Sequence, residues 1–307
     1  FDHCFQMIDG PVAPDITVQE MDKEIILYLS NTPGTNNEKE DYIGLDPFII
    51  APDSLTDDEA KEFASYYFQG YKIYQVISES VSTSDLDDPA QARLVAQCDL
   101  KDTVSTLVNF SLDESIGYEV PYLMVEGENK GIRHSFKFTQ DAFTQRALIN
   151  HKTYYFMAVA YAYNNYKMYI PSDPNSLDGQ KKPYLESRMS STGRIHSYSA
   201  IPHIEVPETG GTFAMANYGD GVPVKRIEGA GNGSLWLKLS PESEEEIVVN
   251  YRSENPVYEA GNTPVEIKIV DPLNVPANEF ELRFIPDAMN SLDTASWILT
   301  DLSTFTL

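Results

Sequence analysis

Basic residues are scarce in this chain. Its 307 residues include 22 Lys plus Arg against 47 Asp plus Glu, a formal net charge of −25. Phosphate contacts need clustered Lys and Arg, so a nucleic-acid binder is excluded. The same deficit argues against docking on an anionic membrane surface. Cysteine is nearly absent, with Cys4 and Cys98 alone. Two thiols allow at most one internal disulfide, which rules out a disulfide framework. A structural zinc site wants four Cys or His ligands, so they cannot build one by themselves. Cys98 is expected as a free thiol at a core-facing strand position. Long apolar runs are missing too. The longest, 154–163, has ten residues, and a membrane-spanning helix needs about 20. No transmembrane helix is expected.

The chain opens Phe1-Asp2-His3-Cys4-Phe5 without Met, a basic segment or an apolar segment. No targeting signal is visible, and the expectation is a mature or cut-out piece of something longer. Asn109-Phe110-Ser111 matches the glycosylation acceptor pattern, which matters only in a eukaryotic secretory context.

What is abundant is aromatic: 19 Tyr and 14 Phe. Aromatic and β-branched residues favour half-buried pleated surfaces. Turn formers recur between short apolar runs, which points to an all-β architecture of sandwich type. The first strand pair is read at 16–19 and 25–30. Residues 31–41 are a loop by composition. Residues 54–67 depart from the β pattern. Thr56 and Glu59 have capping-box spacing, and Ala60, Phe63, Ala64 and Tyr67 recur at helical intervals, so one short helix is expected there.

Further strands are read at 71–77, 92–98 and 106–110. Segments 119–126 and 132–138 flank Gly127-Glu128-Asn129-Lys130-Gly131 and are expected to pair as a hairpin. In 148–161 a polar turn leads into a strand whose Tyr154, Phe156, Ala158 and Ala160 share one face. Leu148 lies six residues before Tyr154, the spacing of a tyrosine corner, with the hydroxyl bonding backbone at the turn. Residues 164–192 are polar and turn-rich. Strands follow at 234–239, 265–271, 280–285 and 296–302, and four Glu within 242–246 open either a helical turn or a solvated loop. The expected division is 1–10 as the end of a preceding segment, 11–204 as a β-sandwich with insertions, and 205–307 as a second β-rich domain.

Residues 148–161, with Leu148, a polar turn, Thr153-Tyr154-Tyr155 and then alternating apolar residues, resemble the F strand of fibronectin type III domains. Pro14-Asp15-Ile16-Thr17-Val18 through Ile25-Ile26-Leu27-Tyr28-Leu29-Ser30 resemble the A and B strands, and Gly70-Tyr71-Lys72-Ile73-Tyr74 the C strand. The chain departs from an ordinary module in the insert between Ser30 and Gly70, the Gly127 region and the polar stretch after Tyr163. It also lacks the usual Trp near Leu29. Residues 70–75 with 87–99, and 256–261 with 264–272, resemble large secreted or cell-surface proteins of Bacteroidota that leave by type IX secretion. That resemblance implies an extracellular, multidomain, non-catalytic protein associated with the outer membrane. Its partners would be other domains of the same longer chain, with other surface proteins beside them.

Candidate chemistry is thin. His3, His134, His151, His196 and His203 show no metal-ligand spacing, and no Ser lies in a nucleophile elbow. Gly229-Ala230-Gly231-Asn232-Gly233 precedes a strand rather than a helix, so it reads as a β-turn and not a phosphate loop. Asp85, Asp87 and Asp88 are the candidate calcium ligands, with Asp173, Asp178 and Asp220 behind them. Calcium wants six to eight oxygens, and a solvated acidic loop is the plainer account of them. Asp87-Asp88-Pro89 also suits the start of a helical turn with a carboxylate cap. A glycosidase pair needs carboxyls about 5–10 Å apart, which spacing in sequence does not reveal. Alternate tyrosines offer a carbohydrate platform or, more plainly, a sandwich core. No cofactor is expected. The function expected is adhesion, display or spacing, with two alternatives: an accessory region of a secreted hydrolase, or a subunit held in an outer-membrane complex.

Overall fold

Alternation at the start of the chain makes β1 (Asp15–Met21) and β2 (Glu24–Ser30) a hairpin in which Met21 faces Glu24 across Asp22-Lys23. The turn is held from a distance. Asn150 accepts from the Lys23 amide and donates to Asp22 Oδ1, both at 2.7 Å. The computed structural model describes residues 8–204, 216–226, 238–259, 263, 265–286 and 295–304. Strands take 38% of the described residues and helices 11%, so the class is all-β and the fold sandwich-like. Two units divide it, Phe1–Glu205 and Val206–Leu307.

In the first unit the chain continues through β3 (Ile43–Leu45), α1 (Asp57–Ala64), β4 (Ser65–Val76) and β5 (Ala92–Asp99). Then come β6 (Thr106–Asp113), β7 (Tyr118–Glu126), β8 (Ser135–Phe138), β9 (Gln140–Asp141) and β10 (Arg146–Ala147). The unit closes with β11 (Tyr154–Tyr163), β12 (Tyr184–Glu186) and β13 (Tyr198–Ala200). One sheet runs β1-β2-β8. The other has β4 and β11 at its centre, flanked by β3 and β5 on one side and β12 and β13 on the other.

The inner faces of the two sheets share one core. Ile25, Leu27 and Phe136 come from the first sheet, and Phe68, Tyr71, Ile73, Phe156, Ala158 and Ala160 from the second. Burying each large apolar side chain stabilises by roughly 1.5–3 kcal/mol. An extra residue in β4, Gln69, shifts the register against β11 between Tyr161 and Ala162. Side chains therefore change face there, as a bulge requires. Phe68 points inward before the bulge, Tyr71 and Ile73 after it.

The outer face of the β4–β11 sheet is covered as well. Val81, Leu86 and Ile195 pack on Tyr74, Val76, Met157 and Val159. Leu107 and Val125 of the β6–β7 ribbon pack on Tyr161 and Tyr184. This explains why β11 reads as a continuous apolar run, since a strand buried on both faces needs no polar alternation.

Two expectations are corrected in this unit. Residues 119–126 do not pair with 132–138. Strand β7 pairs with β6, from Thr106↔Glu126 to Asp113↔Tyr118, and β8 pairs with β2. The turn of the true hairpin is at Gly117, with φ +70°. The Gly127 segment instead crosses to β5. A Cβ on Gly127 would lie 2.0 Å from Asp99 Oδ2, and Asp99 accepts from the Asn129 amide at 2.9 Å. The glycine is needed for close approach to a carboxylate rather than for a hairpin loop. The second correction concerns Tyr67. The capping box of Thr56 and Glu59 forms, but α1 ends at Ala64 and Tyr67 belongs to β4. Pairing with β3, where Ile43 faces Tyr67, overrides the helical spacing.

In the second unit, Glu242–Glu246 falls within α2 (Pro241–Asn250), capped by Ser240 and ended by Tyr251 at φ 61°. This helix was one of the two alternatives read there. Strands β14 (Phe280–Ile285) and β15 (Ser296–Asp301) form an antiparallel ribbon. The strand expected at 265–271 is reduced to a bridge between Lys268 and Gly221, with Ile267 and Ile269 bonded to Val222, Asp220 and Gly219. The next residue, Pro223, has no amide to extend that ladder. Of the strand read at 234–239, residues 234–237 lie outside the described residues, as do Gly229 to Gly233.

Candidate functional site

The turn before β11 gathers the residues that spacing had linked. Leu148 and Tyr154 are both buried in the sandwich core. The Ile149 amide donates to the Tyr154 hydroxyl at 2.9 Å. Next to it, Lys152 lies over the Tyr154 ring and donates to Asp141 Oδ2 at 2.9 Å. Asp141 also accepts from Gln75 Nε2 at 2.9 Å and the Phe143 amide at 3.0 Å. Burial alone pushes the Asp141 carboxyl up, but these three donors outweigh it and bring it down to about 2. The cluster ties β4, β9 and β11 together.

The acidic triplet is spent on local turns. Asp85 Oδ2 accepts from the Ser82 amide at 2.9 Å and the Ser82 hydroxyl at 2.7 Å, which holds its carboxyl below the usual range. Asp88 Oδ1 accepts from the Ala90 amide at 2.8 Å. Asp87 is exposed and faces the electrostatic surroundings of Lys72. Asp173 caps a short turn at Asn175, Asp178 pairs with Lys167, and Asp220 accepts from the Asn217 amide. Among the described residues, no group of three or more His, Cys, Asp or Glu side chains is arranged to hold a metal ion.

The histidines are dispersed. His134 meets Glu40 Oε1 at 2.6 Å, His151 occupies a left-handed turn position at φ 65°, His196 packs on Tyr198, and His203 lies 3.7 Å from Glu20. Cys98 is free and buried on β5, where burial pushes its thiol up. Cys4 and His3 lie outside the described residues.

Two features went unseen in the sequence. The first is a buried charged cluster on the outer face of the central sheet. Lys72 is 4% exposed, and its ammonium lies 4.4 Å from the centre of the Tyr184 ring. Tyr184 donates to Glu186 Oε1 at 2.5 Å. Burial lowers the Lys72 pKa, opposed by Glu186 and Asp87, and it raises that of Glu186, opposed by Lys72. Both shifts favour the neutral forms, as a low-dielectric interior does. In the sequence, 184–186 lie within the polar, turn-rich stretch 164–192, which gave no sign of this cluster.

The second feature is a groove of about 380 Å³ between α1 and the paired strands β4 and β11. Tyr67 and Tyr163 are cross-strand partners on its floor. Phe63 and Tyr166 form one wall, with ring centres 4.5 Å apart and planes inclined by 34°. Glu59 and Glu62 of α1 line it as well. Asn164 fixes the junction, donating to the Phe63 and Ser65 carbonyls at 3.0 and 2.6 Å and accepting from the Tyr166 amide at 3.0 Å. The abundance of tyrosine at alternate positions was the only sequence signal.

No protein-family model, no curated protein and no solved structure matches the chain.

Proposed function

We propose that the chain is a non-catalytic structural and interaction module of a large secreted or cell-surface protein, built on a fibronectin type III-like sandwich. The observation that carries this reading is the central sheet. Both of its faces are buried along most of β4 and β11, and the polar groups within it are used to join elements. Gln75 and Lys152 meet on Asp141, and Lys72 lies against Tyr184. The pairing of β1 with β2, and of β4 with β11, agrees with what the resemblance implies for the A, B, C and F strands. The hydrogen bond at Tyr154 supports the same frame. The net charge of −25 suits a soluble displayed surface that repels itself. Export by the type IX route, and attachment to further domains, follow from the resemblance alone.

A second reading is favoured by the groove. Aromatic rings lining an open depression suit an accessory, substrate-binding region of a secreted hydrolase. One experiment separates the two. Intact cells of the native source are shaved with protease, and the released peptides and intact mass are read by mass spectrometry. Surface peptides from a much longer, non-catalytic chain are expected. A catalytic domain on the same chain would favour the accessory reading. Confinement to the cytoplasm would overturn both.

A further inference from the structure

We propose that the groove between α1, β4 and β11 binds the cationic side chain of an arginine or lysine on a basic segment of a protein partner. This rests on reading the chain as an interaction module, and it names the partner's chemistry.

The groove presents π faces and carboxylates, and the side-chain donors of Ser65, Asn164 and Tyr166 are committed within the fold. Phe63, Tyr67, Tyr163 and Tyr166 supply the rings. A cation within about 6 Å of a ring centre is attracted by the ring quadrupole. Both Asn164 amide hydrogens are bonded within the fold, and the Tyr166 hydroxyl donates to the Asp178 carbonyl at 3.3 Å. The carboxylates of Glu59 and Glu62 at the lining disfavour an anion and suit a cation. Glu62 has no ion-pair partner among the described residues, and its neighbour Lys61 faces Asp58 at 3.9 Å.

The fold fills comparable positions elsewhere with its own cations. Lys72 lies over Tyr184, Lys152 over Tyr154 and Lys181 over Tyr169, at 4.4, 4.7 and 5.2 Å. Among the described residues no such cation lies over the four rings of the groove. The groove is open and Tyr67 is 39% exposed, so a side chain projecting from a partner can reach it. Arginine, whose planar guanidinium stacks on rings and forks onto carboxylates, is expected to bind more tightly than lysine.

The test uses fluorescein-labelled (Gly-Ser-Arg)3 and its lysine and glutamine counterparts, titrated with the chain at physiological salt and read by anisotropy. The arginine peptide is expected to bind most tightly and the glutamine peptide not at all. Tyr163→Leu and Tyr67→Leu leave the net charge unchanged, and each is expected to weaken arginine-peptide binding at least tenfold. Exposed Glu62→Gln serves as a variant whose folding is not in question, with at least a fivefold loss. No binding, or binding insensitive to all three substitutions, would overturn the proposal, the latter by assigning the attraction to bulk charge. Binding of cello- or xylo-oligosaccharides that the same variants abolish would overturn it in favour of a sugar site. The cell-shaving experiment stands apart, so failure of the groove and failure of the surface-module reading are distinguishable.

Discussion

The amide of Ile149 donates to the hydroxyl of Tyr154 at 2.9 Å, closing the turn that feeds β11 into the core. The tyrosine ring is buried and Leu148 packs with it in the same cluster. Tyr154→Phe keeps the ring and removes only the acceptor. An intramolecular hydrogen bond contributes about 1 kcal/mol, and this one is part-buried, with Ile149 exposed. Tyr154→Phe is therefore expected to lower the stability of the first unit by about 1 kcal/mol in urea unfolding. A change below a few tenths would mean that water satisfies the Ile149 amide equally well.

Asp141 predicts an acid-labile frame. Its carboxyl, ordinarily near 3.8, is brought to about 2 in the fold by Lys152, the Phe143 amide and Gln75 acting against burial. The unfolded chain takes up this proton at the higher pH. The stabilisation is therefore complete above about pH 4 and is lost as pH falls toward 2. Its size follows from linkage, on the order of 2 kcal/mol. Urea midpoints measured from pH 7 to pH 2 should fall less steeply in Asp141→Asn than in the parent chain. The variant should also be about 2 kcal/mol weaker at pH 7. Parallel pH profiles would remove Asp141 as a source of acid lability.

Local chemistry was legible in the sequence, and long-range partnership was not. The capping box of Thr56 and Glu59 and the Leu148–Tyr154 spacing are short-range relations, and both appear in the structure. Alternation in 132–138 marks a strand with one buried face but does not say which strand lies beside it. Phe136 faces Leu27, more than a hundred residues earlier. Tyr67 carried a helical spacing from Ala60 and Phe63, yet its fate was decided by β3 and β11 on either side. Since Tyr67 and Tyr163 form the floor of the groove, that misreading concealed the groove. Lys72 stayed hidden for a similar reason. Its burial depends on Tyr184 and Glu186, which come from a stretch whose polar composition reads as loop.

Cys98 is expected to be inert in the folded chain. It is free and buried, burial pushes its thiol up, and its Sγ lies 3.6 Å from the Arg133 carbonyl oxygen. Thiolate fraction and access together set reactivity. In a Cys4→Ser background, a disulfide reagent at pH 8 should modify Cys98 at least about a hundredfold more slowly than in denatured chain. Rapid labelling without loss of fold would show that β5 opens readily. On the parent chain, non-reducing mass spectrometry showing a Cys4–Cys98 bridge would contradict the free thiol.

Gly70 offers the sharpest packing test. It lies where the β4 bulge meets both neighbouring strands, opposite Asp99 on β5 and Tyr161 on β11. A Cβ there would come within 2.2 Å of the Cys98 carbonyl oxygen and 2.6 Å of the Tyr161 hydroxyl. The first obstacle is backbone and cannot rotate aside. The second belongs to a fully buried ring whose hydroxyl has no hydrogen-bond partner among the described residues. Overpacking of this kind costs about 1–3 kcal/mol and sometimes more, and a clash with a paired strand belongs at the upper end. Gly70→Ala is expected to destabilise the first unit by about 3 kcal/mol. Tyr161→Phe removes an unpaired buried hydroxyl, so alone it should be neutral or slightly stabilising. In the double variant it relieves only the second contact, so recovery should be about 1 kcal/mol at most. Full recovery would mean that the tyrosine, and not the Cys98 carbonyl, is what demands glycine at this position.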